Sequence, residues 1–256
     1  MITKVQQWIN ILFVLGLVVL EANMAISTRS TGYVVQASAD WNVLVAAHNT
    51  GWIPADTLVY VSASSFKIVG SDVTATYTKG TRIKLTDVTV KYFVVTAVAY
   101  SSDTTVTVTG GTDYTLSGGA ISSPFYSYAI NPQGYPTWFS YTPTIVGFTT
   151  PPVVTARFSV IGNSCTLNYY QTALASSNAT NYTVTAPINA SSAVFNTVYN
   201  RWYAALGETY DNSAFIAVGY LYIAGNSNII YLQPAVSGVW TASGNKSAKF
   251  QFTYEF

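Results

Sequence analysis

The side chains that could carry out acid–base or nucleophilic chemistry are few in this sequence. Its 256 residues include one histidine, His48, and one cysteine, Cys165. A Ser–His–Asp triad could use only His48, and the Gly-x-Ser-x-Gly pattern that exposes a nucleophilic serine does not occur. His48 falls on the apolar face of a predicted helix, where a structural imidazole is favoured over a catalytic one. No hydrolytic triad is therefore predicted.

The carboxylates and the metal-ligand residue types give no better candidate. Glycoside hydrolysis needs two carboxylates that flank one bond. The close pair in the second half of the chain, Glu208 and Asp211, lies in a turn-like segment that does not predict this arrangement. Pairs of histidine or cysteine at ligand spacing, phosphate-binding loops and dinucleotide fingerprints do not occur. We therefore predict no enzymatic activity, no metal and no cofactor.

The composition is that of a folded protein with few charges. Half of the residues are hydrophobic, 15% are aromatic and 8% are charged, and the net charge is +1. Nucleic acid is not an expected partner, because its binding relies on many contacts from Lys and Arg to phosphate. The low charge would place little repulsion between copies of the chain. Cys165 cannot form an internal disulfide, and we expect it to be buried in a strand.

The first 23 residues form an apolar N-terminal segment that leaves three interpretations open. Lys4 precedes a short apolar run that ends at Leu20, as in a secretory signal or anchor, although the small-x-small cleavage pattern is poor. A second interpretation is that Met24 is the true start and that the upstream residues are spurious. The third is an apolar helix that takes part in assembly.

Residues 24–52 are predicted to contain a linker and one amphipathic helix. Ser38 and Asp40 would begin this helix, and Asn49, Thr50 and Gly51 would end it. The apolar stripe consists of Trp41, Leu44, Val45 and His48, which fall at positions i, i+3, i+4 and i+7. This stripe is a candidate oligomer contact; the alternative is that it packs against its own β-domain.

The rest of the chain predicts an all-β fold. Residues 53–130 alternate with period two and indicate a small β-barrel-like domain, in which the predicted strands include Val73–Tyr77 and Asp113–Leu116. Prolines, glycine and aromatic residues at 131–143 indicate a packed connector. Residues 144–256 predict a jelly-roll-like β-sandwich. Its last strand, Ala248–Phe256, alternates apolar and polar residues and should have one buried face and one wet face.

One aromatic cluster is the candidate recognition surface. It consists of Tyr199, Arg201, Trp202 and Tyr203, joined by Trp240. Exposed Trp, Tyr and Arg are typical anchors of interfaces. The alternative is that these side chains fill the open end of the sandwich. The surrounding segment, Ser191–Gly207, is too aromatic and irregular for a simple strand and is expected to cross that end.

Six segments carry a resemblance to a known family. They are Gly32–Asn42, Gly80–Thr86, Val90–Phe93, Thr112–Leu116, Asn131–Phe139 and Trp240–Gly244. In this order they resemble a family of tailed-bacteriophage virion structural proteins of tail-fibre or receptor-binding type. The resemblance runs from about Ser30 to the C-terminus and leaves residues 1–23 unmatched. It implies a small β-domain followed by a sandwich like those of receptor-binding or carbohydrate-binding modules, with no catalytic residues.

Two functions from different classes follow from these observations. The first is a bacteriophage virion structural protein, of tail-fibre, tail or capsid-decoration type, that acts by assembly and surface recognition. Its expected partners are copies of itself in a homotrimer, other virion proteins, and a glycan or protein on the host surface. The second is a secreted or cell-surface lectin-like protein that binds carbohydrate. Residues 1–23 discriminate the two, because the second function needs a true signal peptide.

Overall fold

The computed structural model describes residues 37–192, 201–205, 207–216, 219–234 and 239–256, with the backbone alone at 37–41, 201–203 and 205. This part of the chain contains one α-helix and nineteen β-strands, numbered below in chain order. The predicted all-β class is confirmed. The chain divides into two compact units, residues 1–50 and residues 51–256.

The helix, α1, spans Ala37–Thr50 in the first unit. It includes Ser38, which therefore lies within the helix and does not precede it as an N-cap. The hydroxyl of Thr50 donates to the carbonyl oxygen of Ala46, 2.6 Å away, in the last turn. Gly51 follows with φ of +73°, a left-handed conformation that ends helices and that a side chain would strain. The predicted end of the helix is confirmed.

The second unit begins with a seven-stranded antiparallel sheet. Its strands are β1 (Ile53–Pro54), β2 (Val59–Ser62), β3 (Ser65–Ile68), β4 (Arg82–Asp87), β5 (Thr89–Tyr100), β6 (Thr104–Thr109) and β7 (Ser122–Ser127). They lie in the order β1-β7-β4-β5-β6-β3-β2, so consecutive strands β1 and β2 form opposite edges. The residues between them can span at most about 18 Å, whereas a flat sheet would separate its edges by roughly 29 Å. The sheet must therefore curl, as a small barrel-like domain requires.

The inside of this barrel-like half is apolar. Its buried cluster contains Leu58, Phe66, Ile68, Tyr77, Ile83, Leu85, Phe93, Val95, Val106, Val108 and Leu116. The predicted strands Val73–Tyr77 and Asp113–Leu116 are wrong, because both segments form turns and irregular chain. Each segment nevertheless supplies one buried side chain, Tyr77 or Leu116, to the cluster.

Two further sheets make up the C-terminal half. The larger contains β8 (Phe139–Ser140), β10 (Val154–Ile161), β11 (Ser164–Gln171), β12 (Ala175–Ser176), β15 (Thr209–Asp211), β16 (Ala214–Ile216) and β19 (Asn245–Glu255). The smaller contains β9 (Ile145–Val146), β13 (Thr183–Thr185), β14 (Arg201–Ala205), β17 (Gly219–Ala224) and β18 (Ile229–Pro234). The strand orders are β16-β15-β19-β11-β10-β8, with β12 also on β19, and β14-β17-β18-β13-β9.

The two sheets pack face to face around one apolar core. The larger sheet contributes Phe158, Leu167, Tyr169, Phe250 and Phe252, and the smaller sheet contributes Val184, Leu221, Ile223, Ile230 and Leu232. The predicted β-sandwich is therefore confirmed. The predicted alternation in the last strand is confirmed as well, since every second residue from Ala248 to Phe256 is buried. The expectation for Ser191–Gly207 is wrong in part, because β14 is a regular strand paired with β17.

The barrel-like half and the sandwich meet in a junction of buried side chains. The guanidinium of Arg82 on β4 donates to the carbonyl oxygen of Val160 on β10, 3.1 Å away, and lies over the ring of Tyr135. Tyr114 packs against the cores of both halves. Gly80 has φ of +82°, and a side chain there would collide with the carbonyl of Gly162. Phe139 and Tyr141, from residues 131–143, are buried in the sandwich core.

Candidate functional site

The candidate recognition surface at Tyr199–Tyr203 and Trp240 is not supported as a whole. Trp240 is only 1% exposed, and its indole N–H donates to the carbonyl oxygen of Leu232, 2.7 Å away. It fills the sandwich core beside Tyr182 and cannot anchor a partner, so this part of the prediction is wrong. Tyr199 and the side chains of Arg201, Trp202 and Tyr203 lie outside the described residues. Their role stays a prediction.

The stripe of helix α1 is exposed where its side chains are described. Leu44 is 51% exposed, Val45 is 38% exposed, and His48 is also exposed. The side chain of Trp41 lies outside the described residues. Val43, two positions from Trp41 and so on the opposite face of the helix, is 46% exposed. The apolar surface of α1 is therefore broader than the stripe that the sequence predicted.

Lys246 is the most unusual titratable group in the sandwich. It is 0% exposed, and its ammonium donates to the carbonyl oxygens of Ala179 and Asn181, 2.9 and 2.8 Å away. The rings of Phe148, Tyr182 and Trp240 surround it, with centroids 5.0, 5.8 and 5.9 Å from Nζ. Carbonyl oxygens and aromatic faces both attract a cation. They take the place that a paired carboxylate would fill.

The chemistry of Lys246 is limited by the same surroundings. Burial lowers the pKa of its ammonium to about 8, while the negative charge of Asp211 opposes that shift. A lysine with such a pKa is a candidate base or nucleophile wherever a substrate can reach it. Here the amine is enclosed by backbone carbonyls and rings, and Asp211 is occupied by hydrogen bonds from Thr241. We assign Lys246 a structural role.

The single thiol is also a core group. Cys165 lies on β11 with no exposed surface, as the sequence predicted. Burial raises the pKa of its thiol to about 12, which removes the thiolate that a nucleophile needs at neutral pH. Burial likewise raises the pKa values of its neighbours Tyr141 and Tyr254. This cluster is therefore neutral and unreactive.

The outer face of the smaller sheet is apolar and rich in tyrosine. Tyr222 and Tyr231 stack there with ring centroids 5.0 Å apart, and Tyr220, Ile229 and Tyr231 are partly exposed. The strands β13, β17 and β18 contain no charged residue. This face offers shape and apolar surface, but it offers little to select one polar ligand over another.

The outer face of the larger sheet is polar and has a defined geometry. The strand register places Arg157 on β10 beside Asn168 on β11, and Asn168 beside Gln251 on β19. We call these three side chains the polar row. With neighbouring strands about 4.8 Å apart, the row is roughly 10 Å long. Within the described part of the chain, none of its three side chains forms a hydrogen bond or an ion pair.

Aromatic rings stand beside the polar row. The guanidinium of Arg157 lies 4.7 Å from the centre of the Trp138 ring. Tyr170, two residues from Asn168 on the same strand face, is exposed and lies 4.6 Å from the ammonium of Lys249. On the other side, the hydroxyls of Thr166 and Thr253 share a hydrogen bond. Planar rings next to open amide and guanidinium groups can bind a ligand that has both apolar faces and polar edges.

The sequence pattern identified the solvent-exposed face of β19 but did not identify the polar row. The alternation in Ala248–Phe256 places Gln251 on the solvent side, and the alternation in β11 does the same for Asn168. Both signals are local. What brings Arg157, Asn168 and Gln251 into line is the pairing of three strands, which the sequence pattern does not specify.

Neither the described residues nor known proteins assign a function to this chain. Among the residues with described positions, no group of three or more His, Cys, Asp or Glu side chains could hold a metal ion. No helix in that same part of the chain has the length and apolar character to cross a bilayer. Comparison with protein-family models, with curated proteins and with solved structures found no match to this chain.

Proposed function

We propose that this chain is a non-catalytic structural protein of a bacteriophage virion that acts by assembly and by recognition of a surface. The outer face of the larger sandwich sheet is the recognition surface, with the polar row at its centre. The barrel-like half presents this sheet and ties it to the rest of the particle. The expected location is the virion, and the expected partners are other virion proteins and a glycan or protein of the host surface.

One observation carries the recognition part of this proposal, and the resemblance of the sequence to phage virion proteins carries its virion part. Arg157, Asn168 and Gln251 present a guanidinium and two amides without partners in the described residues, and Trp138 and Tyr170 stand beside them. Amide and guanidinium groups fix the orientation of a ligand by hydrogen bonds, and aromatic rings supply contact area with little loss of conformational entropy. If this face only had to be soluble, the Lys and Glu side chains that are common on protein surfaces would suffice.

Fractionation and adsorption test the proposal. A lysate that contains the protein is separated on a density gradient, and an antibody against the full chain locates it. We expect the protein to sediment with phage particles. An excess of soluble full-length protein should then slow adsorption of those particles to their host cells, and a Gln251→Ala variant should compete less well. Gln233→Ala, the same change on the smaller sheet, is the matched control. A protein found only in the particle-free fractions would contradict the proposal.

A secreted or cell-surface lectin-like protein is the second candidate. The same observation favours it, because open amides beside aromatic rings suit a carbohydrate on either kind of carrier. The two candidates differ in where the protein is found. Recovery from the culture medium or the cell surface without particles, with residues 1–23 removed in the mature protein, would support the second. Mass spectrometry of the native N-terminus supplies that measurement.

We further propose that the chain forms a homotrimer through helix α1. Leu44 and Val45 are exposed apolar side chains on the predicted stripe, and a cyclic interface would bury them against neighbouring copies. Three identical recognition surfaces would then add their weak contacts by avidity. Light scattering should give the mass of three chains, and Leu44→Asp should reduce it to one. Val43→Asp, on the opposite helix face, is the control that should leave the trimer intact; a wild-type protein of single-chain mass would refute assembly.

A further inference from the structure

We infer that the polar row binds a glycan that carries a carboxylate group, and that Arg157 is the residue that recognises the carboxylate. This inference rests on the proposed recognition function and specifies its ligand. The polar row, roughly 10 Å long, has the length of a short oligosaccharide segment lying across three strands.

The charge of Arg157 points to an anionic group. Within the described residues its guanidinium contacts the ring of Trp138 and forms no ion pair. The other cation on this face, Lys249, is already paired with Glu208 at 2.9 Å. Ser140 on β8 pairs with Arg157, and the N–H of Ser140 donates to the carboxylate of Asp113. Asp113 forms no ion pair with Arg157.

The geometry of the guanidinium fits a carboxylate in particular. A planar guanidinium presents parallel N–H groups that bind both oxygens of a carboxylate at once. The guanidinium lies over the Trp138 ring, 4.7 Å from its centre, and its N–H groups have no hydrogen-bond partner within the described residues.

The rest of the row supplies what a sugar needs beyond its charge. The amides of Asn168 and Gln251 each offer a donor pair and an acceptor, which matches neighbouring hydroxyls of a sugar ring. The exposed ring of Tyr170 gives a flat face against which the apolar side of a sugar can lie. A charged oligosaccharide would use all of these groups.

Titration calorimetry of the full chain tests the inference with a set of acidic oligosaccharides. The probes are oligomers of galacturonate, alginate and sialic acid, each paired with its methyl ester, which keeps the sugar and removes the charge. We expect at least one acid to bind and its ester to bind at least tenfold more weakly, with the difference shrinking as salt is added. Arg157→Gln should weaken the acid by roughly tenfold and leave the ester unchanged.

The controls separate this inference from the proposed function. Lys84→Gln removes another cation that lies over a tryptophan, Trp52 in the barrel-like half, and should not change binding. Equal binding of acid and ester, no binding of any acid, or full binding by Arg157→Gln would each overturn the inference. Sedimentation with particles and competition for adsorption would be unaffected by those results. Failure of the glycan assignment is therefore distinct from failure of the virion assignment.

Discussion

Two buried cations, Lys246 in the sandwich and Arg82 at the junction, are held in different ways. Lys246 is 0% exposed and Arg82 is 4% exposed, and neither forms an ion pair within the described residues. Burial lowers the pKa of both groups. Each therefore carries a desolvation cost that its surroundings must offset.

The surroundings offset that cost to different degrees. The ammonium of Lys246 donates to two carbonyl oxygens at distances below 3 Å and is enclosed by three rings. Arg82 has longer bonds, of 3.1 and 3.3 Å, and one ring beneath it. Its Nε is buried without a partner in the described residues. A point-like ammonium fits a closed cage, whereas a five-donor guanidinium leaves a donor unpaired between two packed halves.

The largest expected effect comes from removing the side chain of Lys246. Lys246→Ala removes the donor to two buried carbonyls and leaves a cavity among Phe148, Tyr182 and Trp240. We expect the free energy of unfolding to fall by about 3 to 4 kcal/mol. Denaturation in guanidinium chloride with tryptophan fluorescence measures it. Lys246→Met keeps the volume and removes the buried charge, so it should cost about 1 kcal/mol; equal losses in both variants would show that packing plays no part.

The second effect concerns the hydrogen bond that Arg82 forms across the junction. Arg82→Ala should lower the free energy of unfolding by about 2 to 3 kcal/mol, because it removes a charged hydrogen bond to Val160 and the contact with Tyr135. Hydrogen exchange should rise at both β4 and β10, on the two sides of the junction. Arg82→Lys keeps the charge but not the planar fork and should restore only part of the loss. Full rescue by lysine would mean that charge alone stabilises the junction.

The third effect is a dependence of stability on pH to which Lys246 should contribute most, because its pKa is lowered to about 8. Its pKa is about 8 in the folded chain and near 10.5 when unfolded, so between these values the folded chain binds fewer protons. Stability should therefore rise with pH, by about 2 kcal/mol from pH 7.5 to 9.5. Above pH 10 the buried tyrosines, whose pKa values are raised, oppose this rise. Lys246→Met should have a much shallower profile between pH 7.5 and 9.5 than the wild type; parallel profiles would contradict the assignment.

The sequence predicted the features that depend on local patterning. The alternation in Ala248–Phe256 correctly identified which side chains of β19 are buried, because successive residues of a strand face opposite ways. The same rule failed at Val73–Tyr77, a segment of turns in which only Tyr77 is buried. Glycine at position 51 correctly predicted the end of α1, since a left-handed residue stops a helix.

The features that decide function depend on contacts between distant segments. Trp240 was predicted as a surface anchor because exposed Trp, Tyr and Arg are typical anchors of interfaces, yet β18 supplies the carbonyl of Leu232 that binds its indole. Lys246 looks like an ordinary strand lysine until Ala179 and Asn181 are placed beside it. The polar row likewise exists only once β10, β11 and β19 are paired in register.

The smallest expected effect tests whether unpaired buried polar groups near the junction lower the free energy of unfolding. The hydroxyl of Tyr141, at the end of the connector, is buried and has no hydrogen-bond partner among the described residues. Removing a buried polar atom that has no partner should relieve its desolvation, so Tyr141→Phe should raise the free energy of unfolding by about 1 kcal/mol.

Tyr182→Phe is the matched control in the sandwich, because the Tyr182 hydroxyl donates to Gln171 at 2.7 Å and bonds to Tyr169. The same change there should lower stability by about 1 to 2 kcal/mol. Thermal and chemical unfolding of both variants measure the two signs, and a loss of stability in Tyr141→Phe would mean that its hydroxyl is paired and that the contrast between the two regions is wrong.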